Sequence, residues 1–411
     1  MSETRAQKRA GAGFGTRALA AATRTPNVDQ HPDAVPIYQA VTFSASSAAE
    51  LADVLADRQP GFSYSRIDNP TSQALADAIA EVEGAEASFV FATGMAAVHA
   101  AFATVLRLGD HMIASRQIYG SVQHLVQSVF GRFGIDSTFV DITDAEAVEA
   151  AWRPNTRLLH FETIANPTLT VADVASLIER GHGHGALVSV DNTFASPYVC
   201  RPAELGADLT VEALTKWIGG HSDVLGGAVS GSKDLIRQIR STQIDTGATL
   251  APFSAFLVLR GLETLHVRME RHAHTALALA RMLEAADLPR KVWYPGLASH
   301  PQHGVAQRQL NTGGGMLAMD VGDRQAAAAL LDALTLPPRT ASLGSVRTIA
   351  VHPPSTTHRQ LDAAGLAAAG IPEGLIRVSV GLEDADDLLA DFEQALAAAT
   401  RAKANLTPTT A

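Results

Sequence analysis

The stretch ASFVFATGMAAVHAAFATVL, residues 87–106, contains the pattern from which the fold of this chain is inferred. Its beginning, residues 87–91, is a short apolar run typical of a buried strand, and its Ala-rich end, residues 95–106, predicts a helix. Thr93 and Gly94 lie at the junction between the two. A strand that passes through a glycine turn into a helix is the repeating unit of α/β proteins, so this stretch predicts a sheet covered by helices.

Two further apolar runs of strand length continue the pattern within residues 61–271. Residues 158–161 lead into Glu162, and residues 186–190 lead into Asp191. Short strands that alternate with helical stretches predict a mainly parallel sheet. Because ligands of such sheets bind just beyond the carboxyl ends of the strands, the polar residues at these ends are candidates for a functional site.

After Gly261 the spacing of apolar residues predicts a helix over residues 262–285. Arg268, Glu270 and Arg271 are expected on the outward, solvated face of this helix. We expect the helix to connect two halves of the molecule.

The remainder of the chain predicts a smaller α+β domain. Strands are expected at residues 315–319 and 375–380, and helices at residues 324–334 and 385–400. A chain of 411 residues is long enough to bury two cores. We therefore predict three parts: an N-terminal arm (1–60), a large domain (61–262) and a small C-terminal domain (263–411).

The composition excludes several classes of protein. The net charge is −10 and no run of basic residues is present, so nothing in the sequence suits a nucleic-acid backbone. The apolar stretches are shorter than the roughly 20 residues of a membrane-spanning helix, and residues 1–10 do not form a secretory signal. Cys200 is the single cysteine and cannot form an internal disulfide, which fits a reducing compartment. We expect a cytoplasmic protein with loose ends at residues 1–12 and after Arg401.

One lysine of the chain has an unusual neighbourhood. Lys216 lies among apolar residues just before a Gly-rich turn, whereas the other lysines are expected in loose ends or polar loops: Lys8, Lys233, Lys291 and Lys403. Burial disfavours the ammonium form, so the pKa of such a lysine falls and its free amine can attack an aldehyde. A lysine that only extends its charged tip from a half-buried loop to solvent has the same sequence pattern, so the neighbouring residues have to decide.

The aldehyde cofactor pyridoxal 5′-phosphate (PLP) needs a cradle for its phosphate, an anion beside its pyridine nitrogen and a flat side chain against its ring. The strand-to-helix turn at Gly94 and Met95 offers free backbone N–H groups to a phosphate. Asp191 offers the anion, and Tyr119 offers the flat side chain. Each feature also has an ordinary explanation, namely an empty turn, a helix cap and turn packing. Together with Lys216 they indicate a PLP-binding large domain.

Six motifs in a fixed order resemble the Cys/Met-metabolism family of PLP-dependent enzymes, over about residues 36–396. This family includes cystathionine γ-synthases, methionine γ-lyases and O-acylhomoserine sulfhydrylases. The matching stretches are Pro36-Ile37-Tyr38-Gln39, Tyr64-Ser65-Arg66 with Asn69-Pro70-Thr71, Thr93-Gly94-Met95-Ala96-Ala97, Val190-Asp191-Asn192-Thr193-Phe194, Thr215-Lys216 with Gly220-His221-Ser222-Asp223, and Leu375-Ile376-Arg377-Val378-Ser379-Val380-Gly381.

The resemblance implies the aspartate-aminotransferase type of fold (fold type I), an α/β architecture with a large, mainly parallel-sheet domain and a smaller α+β domain. It also implies a set of contacts to the cofactor ring. PLP would bond to Lys216, with Asp191 at the pyridine nitrogen, Tyr119 stacked on the ring and Asn166 near the ring oxygen.

The phosphate contacts that the resemblance implies come from two subunits. The backbone N–H groups of Gly94 and Met95 and the hydroxyl of Thr215 would belong to one subunit, and Tyr64 and Arg66 would reach over from its neighbour. The active unit would be a dimer, paired into a homotetramer.

One residue departs from the family pattern at the phosphate. The family usually has a serine two residues before the threonine of Thr215-Lys216, and this chain has Ala213 there. We expect one phosphate hydrogen bond to be missing, or to be supplied by water or by Thr93, with weaker retention of the cofactor.

The chemistry implied by the resemblance is elimination or replacement at Cγ of a homoserine-derived or sulfur-containing amino acid. Lys216 would move protons, Tyr64 would protonate the leaving group, and Arg377 would grip the substrate α-carboxylate with its planar fork. Tyr119 and Asp191 complete the expected catalytic set, and no metal is expected.

The exact reaction is left open by the sequence. Ala341 and Ser342 are expected to contact the substrate; cystathionine enzymes tend to have an acidic residue in place of Ala341, which argues against cystathionine. A small residue followed by serine is closer to γ-lyases, although those usually have cysteine in place of Ser121. Arg347 matches a position that is often basic in homoserine sulfhydrylases, but a surface charge would look the same.

These residues place a γ-lyase resembling methionine γ-lyase slightly ahead of an O-acetyl- or O-succinylhomoserine sulfhydrylase. A cystathionine β- or γ-lyase and a γ-lyase with a non-sulfur leaving group, such as that of canavanine, are further alternatives.

Overall fold

The computed structural model describes residues 32–359 and 361–404. The predicted loose N-terminal end and residues 1–10 lie outside the described part of the chain. The helices are α1 (Ala48–Leu55), α2 (Pro70–Glu83), α3 (Gly94–Val105), α4 (Gly120–His124), α5 (Ala145–Ala150), α6 (Val174–Gly183), α7 (Ser196–Val199), α8 (Lys233–Thr246), α9 (Pro252–Glu263), α10 (Leu265–Ala285), α11 (His303–Gln309), α12 (Arg324–Ala333), α13 (Ala363–Ala368) and α14 (Ala385–Ala404).

A seven-stranded sheet forms the framework of the first half. Its strands are β1 (Ala87–Phe91), β2 (His111–Ser115), β3 (Asp136–Val140), β4 (Thr156–Glu162), β5 (Leu187–Asp191), β6 (Leu209–Glu212) and β7 (Gly227–Gly231). They lie in the order β1-β7-β6-β5-β4-β2-β3. β7 pairs antiparallel with β1 and with β6, whereas β6, β5, β4, β2 and β3 pair in parallel. The sheet is therefore mainly parallel, as predicted.

Residues 87–106 fold close to the predicted bounds of their strand and helix. The side chain of Thr93 caps α3, because its Oγ1 accepts a hydrogen bond from the N–H of Ala96 at 3.1 Å. On the inner face of α3, Ala97 and Phe102 are fully buried and belong to one apolar cluster with Phe91 of β1. Capping and packing together fix the start of α3 at the carboxyl end of β1.

A second, four-stranded sheet follows in the C-terminal part. Its strands are β8 (Lys291–Trp293), β9 (Met316–Asp320), β10 (Ile349–Val351) and β11 (Leu375–Ser379). They lie in the order β10-β11-β9-β8, and every neighbouring pair is antiparallel. The predicted combination of a mainly parallel sheet with a smaller α+β part is confirmed. The domain boundaries at residues 60 and 262 stay predictions.

The helix predicted over residues 262–285 differs from the structure in two respects. Thr264 separates α9 from α10, so the long helix begins at Leu265. Glu270 and Arg271 are exposed as expected, but the prediction for Arg268 is wrong, since its side chain is buried with 4 % exposure. Main-chain carbonyl groups from two other segments hold the buried guanidinium, and helical spacing alone does not reveal such partners.

Three smaller predictions were also wrong. Lys291 lies in β8 and not in a loop, because its backbone pairs with that of Asp320. Lys233 begins α8, and residues 401–404 continue α14 and are not loose.

Among the described residues, no helix combines the length and the apolar character that crossing a bilayer requires.

Candidate active site

A cavity of about 360 Å³ opens at the carboxyl ends of β4, β5 and β6 and at the start of α3. Ten of the predicted site residues line it: Gly94, Met95, Tyr119, Asn166, Asp191, Thr215, Lys216, Ala341, Ser342 and Arg377. Residues far apart in sequence meet here because the parallel strands all end at the same edge of the sheet.

Lys216 lies in the turn that follows β6 and points its amine into the cavity. Its Nζ donates a hydrogen bond to Oγ of Ser342 at 2.9 Å. Burial, with the positive charge of Arg377 as the second cause, lowers the pKa of Lys216 to about 8. A larger fraction of this amine is therefore free at neutral pH than for an ordinary lysine, as a nucleophile toward an aldehyde requires.

Two carboxyl groups lie side by side at the strand ends. Glu162 and Asp191 are paired residues of the parallel strands β4 and β5. The two oxygens of Glu162 accept hydrogen bonds from the backbone N–H groups of Tyr119 and Asn166, at 2.6 and 2.8 Å. Burial raises the pKa of Glu162 to about 8, with the negative charge of Asp191 as the second cause. With a pKa of about 8 Glu162 is mostly protonated at neutral pH, and a nearby cation, such as a protonated pyridine nitrogen, would favour the ionised form of this carboxyl pair.

Asp191 also has its own anchoring contact. Its Oδ1 accepts a hydrogen bond from the backbone N–H of Thr193 at 3.0 Å. Burial raises the pKa of Asp191, and the hydrogen bond with Thr193 lowers it. The same residue, Thr193, holds the start of the lysine turn, because its Oγ1 accepts the N–H of Ala213 at 2.8 Å.

The start of α3 has the geometry of a phosphate cradle. A Cβ atom at Gly94 would lie 2.8 Å from the Cβ of Ala213, so only glycine fits this close approach. Helix α3 spans 12 residues, and N–H groups in its first turn lie at the cavity. The hydroxyl of Thr215 accepts the N–H of Gly226 at 3.0 Å and donates to its carbonyl at 3.3 Å. A phosphate contact from Thr215 would therefore replace the longer of these two bonds.

Arg377 lies on β11 and enters the cavity from the smaller sheet. Its side chain is buried, and burial lowers its pKa to about 10, so it stays charged at neutral pH. Nη1 donates to Oδ1 of Asn166 at 2.8 Å, and Nη2 donates to the carbonyl of Ser342 at 2.9 Å. Its buried Nε has no hydrogen-bond partner among the described residues. A guanidinium held on both sides with a free N–H suits a carboxylate ligand.

Tyr119, Tyr64 and Arg66 are the more exposed of the predicted residues. Tyr119 lines the cavity with 40 % exposure. Tyr64 and Arg66 do not line it; the Arg66 guanidinium lies 5.6 Å from the centre of the Tyr64 ring and donates to the carbonyl of Ile244. Their expected role in the site of a neighbouring subunit stays a prediction.

Sequence reasoning missed several residues of the site. Glu162 was a candidate only because it ends a predicted strand, and it was given no role. Phe194, whose ring centre lies 5.8 Å from the Arg377 guanidinium, and Thr357 also line the cavity. Phe194 belongs to a motif of the family resemblance but was given no role, and Thr357 was not predicted as a site residue.

The fold and the site define a class of protein. A mainly parallel sheet, a partly buried lysine, an adjacent carboxylate, a helix start and a buried arginine around one cavity are the features of PLP-dependent enzymes of fold type I. The chain belongs to the family described as "Cys/Met metabolism PLP-dependent enzyme", whose sequence profile matches residues 15–397. The members of this family are PLP-dependent lyases and enzymes that replace a γ-substituent, and PLP is the cofactor of this chain.

Individual relatives agree with this assignment. The chain is 42 % identical to the L-methionine gamma-lyase of Pseudomonas putida, with 94 % of this chain and 98 % of that protein covered. It is 40 % identical to the O-succinylhomoserine sulfhydrylase of Pseudomonas aeruginosa, with 94 % and 96 % covered.

A crystal structure of a protein assigned as an O-acetylhomoserine (thiol)-lyase from Campylobacter jejuni superposes with a TM-score of 0.87 at 33 % identity. The superposition covers 91 % of this chain and 97 % of that chain, which contains N′-pyridoxyl-lysine-5′-monophosphate. The predicted family, fold type and cofactor are thus confirmed.

In the described part of the chain, no group of three or more His, Cys, Asp or Glu residues could hold a metal ion.

Proposed function

We propose that the protein eliminates the γ-substituent of a sulfur-containing amino acid, as a γ-lyase acting on methionine or a close analogue. The net reaction with methionine consumes water and yields 2-oxobutanoate, ammonia and methanethiol. The proposal rests on the side chains that line the cavity around Lys216, which suit an uncharged substrate side chain.

Among the described residues that line the cavity, no carboxylate is free to pair with a distal ammonium group. Among the described residues, the acidic ones that line the cavity are Glu162 and Asp191. Glu162 accepts two backbone N–H groups, and Asp191 accepts the N–H of Thr193. The remaining wall includes the apolar Ala341 and Leu343, which suit an uncharged thioether such as that of methionine. Cystathionine, with its second ammonium group, fits this wall less well.

The roles of the lining residues follow from their positions. Bound PLP withdraws electrons from Cα of the substrate and so stabilises negative charge there. The Lys216 amine takes the proton from Cα and, because it remains beside the substrate, also moves the proton of Cβ. Ser342 holds this amine through its Oγ, and Arg377 holds the substrate α-carboxylate. Lys216 is thus the general base of the proposed reaction.

The remaining residues orient the cofactor in this proposal. Asp191 would pair with the pyridine nitrogen, Tyr119 would cover the ring and Asn166 would bind the ring oxygen. Gly94, Met95 and Thr215 would hold the phosphate, and Ala341 and Ser342 would contact the substrate side chain.

We also propose that the site is completed by a second copy of the chain, with Tyr64 and Arg66 supplied across a dimer interface and Tyr64 protonating the leaving group. Large apolar side chains are exposed in the segment that contains Tyr64: Ile37, Tyr38, Val41, Leu51 and Leu55. Exposed apolar side chains in such number are typical of an interface. We further propose that two such dimers form a tetramer and that the protein works in the cytoplasm. The division into parts 1–60, 61–262 and 263–411 is also proposed.

An O-acylhomoserine sulfhydrylase is the second candidate, and one observation favours it. Arg347 lines a hollow of about 520 Å³ that shares Thr215, Leu225, Ala341 and Ser342 with the Lys216 cavity. A cation in this position would suit the terminal carboxylate of a succinyl ester.

Product analysis on a substrate panel separates the candidates. The panel contains methionine, homocysteine, cystathionine, O-acetylhomoserine, O-succinylhomoserine and canavanine, each with and without sulfide. Keto acid and ammonia from methionine without sulfide would support the γ-lyase. Turnover of an acylhomoserine only with sulfide would overturn it in favour of the sulfhydrylase. Pyruvate in place of 2-oxobutanoate would indicate β-elimination and also contradict the proposal.

A further inference from the structure

Arg268, in the first turn of α10, is a buried cation that is held by main-chain carbonyl groups and forms no ion pair with a carboxylate of the described residues. Its side chain is 4 % exposed. Burial lowers the pKa of Arg268 to about 10, so the guanidinium remains charged at neutral pH. A buried charge is costly unless its hydrogen-bonding capacity is satisfied, so the groups that surround this guanidinium are informative.

Those groups belong mainly to the turn that contains Lys216. Nη1 donates to the carbonyl of Trp217 at 2.6 Å, and Nη2 donates to the carbonyl of Ile218 at 3.2 Å. Nη2 also donates to the carbonyl of Gly261 at 2.6 Å. The planar fork of one arginine therefore joins the two residues after Lys216 to the end of α9.

The chain passes directly over the guanidinium. Gly220 has a φ of +75°, and a Cβ atom there would lie 2.4 Å from Nη1 of Arg268. The N–H of the same glycine donates to the carbonyl of Lys216 at 2.7 Å. The lysine turn and the arginine thus fit together without space for a side chain at residue 220.

The next turn of α10 contacts the segment that follows the strand of Arg377. Nδ1 of His272 lies 3.2 Å from the carbonyl oxygen of Gly381, two residues beyond the end of β11. The ring of His272 also packs on Trp217, with 4.9 Å between ring centres. One helix therefore contacts both the turn of Lys216 and the segment just after the strand of Arg377.

We propose that Arg268 is a positioning residue, which fixes the main chain after Lys216 so that the amine stands at the correct distance from the cofactor aldehyde and from Arg377. This inference rests on the proposed role of Lys216 as the residue that bonds PLP. Arg268 does not line the cavity; it acts through the carbonyls of Trp217 and Ile218.

Two substitutions at Arg268 and a matched control test the proposal. R268K keeps the charge but loses the fork that joins three carbonyls, and R268M removes the charge at similar volume. R271M is the control, since Arg271 is an exposed arginine on the same helix whose Nη2 lies 3.4 Å from Asp384. All proteins are prepared with PLP, and circular dichroism shows whether they are folded.

The decisive readouts are loss of PLP on dialysis and the pH at which the visible band of the Lys216-bound cofactor changes. We expect R268K and R268M to lose PLP faster and to shift this pH, with kcat lowered about tenfold or more and KM changed much less, because a small misplacement of a reacting group is costly. R271M should match the parent protein in all of these. The proposal would be overturned if both Arg268 variants lost PLP at a rate within twofold of the parent, had a kcat within twofold of the parent, and showed the change in the visible band at the same pH.

A milder variant keeps the test decisive if neither Arg268 variant folds. Nε of Arg268 donates to Oγ1 of Thr264 at 3.1 Å, so T264V should shift the same readouts in the same direction but less. Parental behaviour of T264V would then overturn the proposal. A different result, namely that K216A retains the visible band of the parent, would instead refute the proposed role of Lys216.

Discussion

The Nζ atom of Lys216 donates a hydrogen bond of 2.9 Å to Oγ of Ser342. The carbonyl of the same serine accepts a hydrogen bond from Nη2 of Arg377, so Ser342 connects the residue proposed to bond the cofactor with the residue proposed to hold the substrate. Ser342 has a φ of 152°, which residues with a side chain rarely adopt. A conformation of this kind persists only where the surrounding contacts enforce it.

Replacement of this serine tests the link. In S342A the Lys216 amine loses its acceptor, and a lost hydrogen bond of about 1 kcal/mol corresponds to a roughly fivefold lower kcat. S342G removes the same hydroxyl but tolerates the unusual φ, so it should lower kcat equally while raising the melting temperature relative to S342A. Unchanged kcat in both variants would show that the hydroxyl has no role in turnover.

Lys216 itself should be indispensable. In K216A no amine is left to bond PLP or to move the Cα proton, so we expect loss of the visible band and a fall in turnover of about 100-fold or more. K233A is the matched control, because Lys233 is exposed at the start of α8. A K216A protein with the colour and activity of the parent would contradict the assignment.

The pH dependence of cofactor uptake should report the low pKa of Lys216. Burial and Arg377 lower this pKa to about 8, and only the unprotonated amine attacks the aldehyde. Uptake of PLP by the apoprotein, followed by visible absorbance, should therefore speed up as the pH rises through about 8. In R377M this midpoint should move to higher pH, because one cause of the lowered pKa is removed. An uptake rate that is independent of pH between 7 and 9 would contradict the stated pKa of about 8.

Because residue 213 is alanine and has no hydroxyl, we expect PLP to be bound more weakly than with serine at this position. Ala213 lines the cavity beside Gly94, so A213S adds a donor at the start of α3. One additional hydrogen bond of about 1 kcal/mol should slow the release of PLP roughly fivefold. A213V adds bulk without a donor and should release PLP no more slowly than the parent. If A213S, A213V and the parent protein release PLP at equal rates, the PLP phosphate has all its hydrogen bonds without a hydroxyl at residue 213.

Ala341 should control the choice between methionine and cystathionine. In A341E a carboxylate enters the cavity wall, and an ammonium group on the distal part of the substrate can pair with it. We expect kcat/KM for cystathionine relative to methionine to rise about tenfold, the size of one charge-assisted hydrogen bond. A341Q is the uncharged control of equal shape, and an equal rise in A341Q would exclude a charge effect.

Local sequence predicted the elements whose patterns are strong. Strand β1 has the predicted bounds, and α3 ends one residue before the predicted end, because an apolar run, a cap and an Ala-rich helix follow one another without conflict. The predicted helix start at residue 262 was wrong because apolar spacing continues across Thr264 without a glycine or proline to mark the break.

Site residues could be predicted from the sequence where the residues next to them along the chain form a recognisable motif. Asp191 ends an apolar strand-like run, Lys216 lies among apolar residues before a Gly-rich turn, and the motifs of both carry the family resemblance. Glu162 was a candidate by its position at a strand end but was given no role, and Arg268 was predicted on the wrong face of its helix. The burial of Arg268 depends on carbonyls about 50 residues earlier in the chain, and periodicity contains no information on such partners.

The sequence by itself determined the class of fold, the family, the cofactor and the lysine that we propose bonds it, because these depend on short motifs whose residues are neighbours along the chain. Only the tertiary structure decided how the lysine is held. Ser342 is 126 residues from Lys216, and Asn166 is 211 residues from Arg377. Such contacts form because two sheets pack around one cavity, and packing across that distance leaves no pattern in the local sequence.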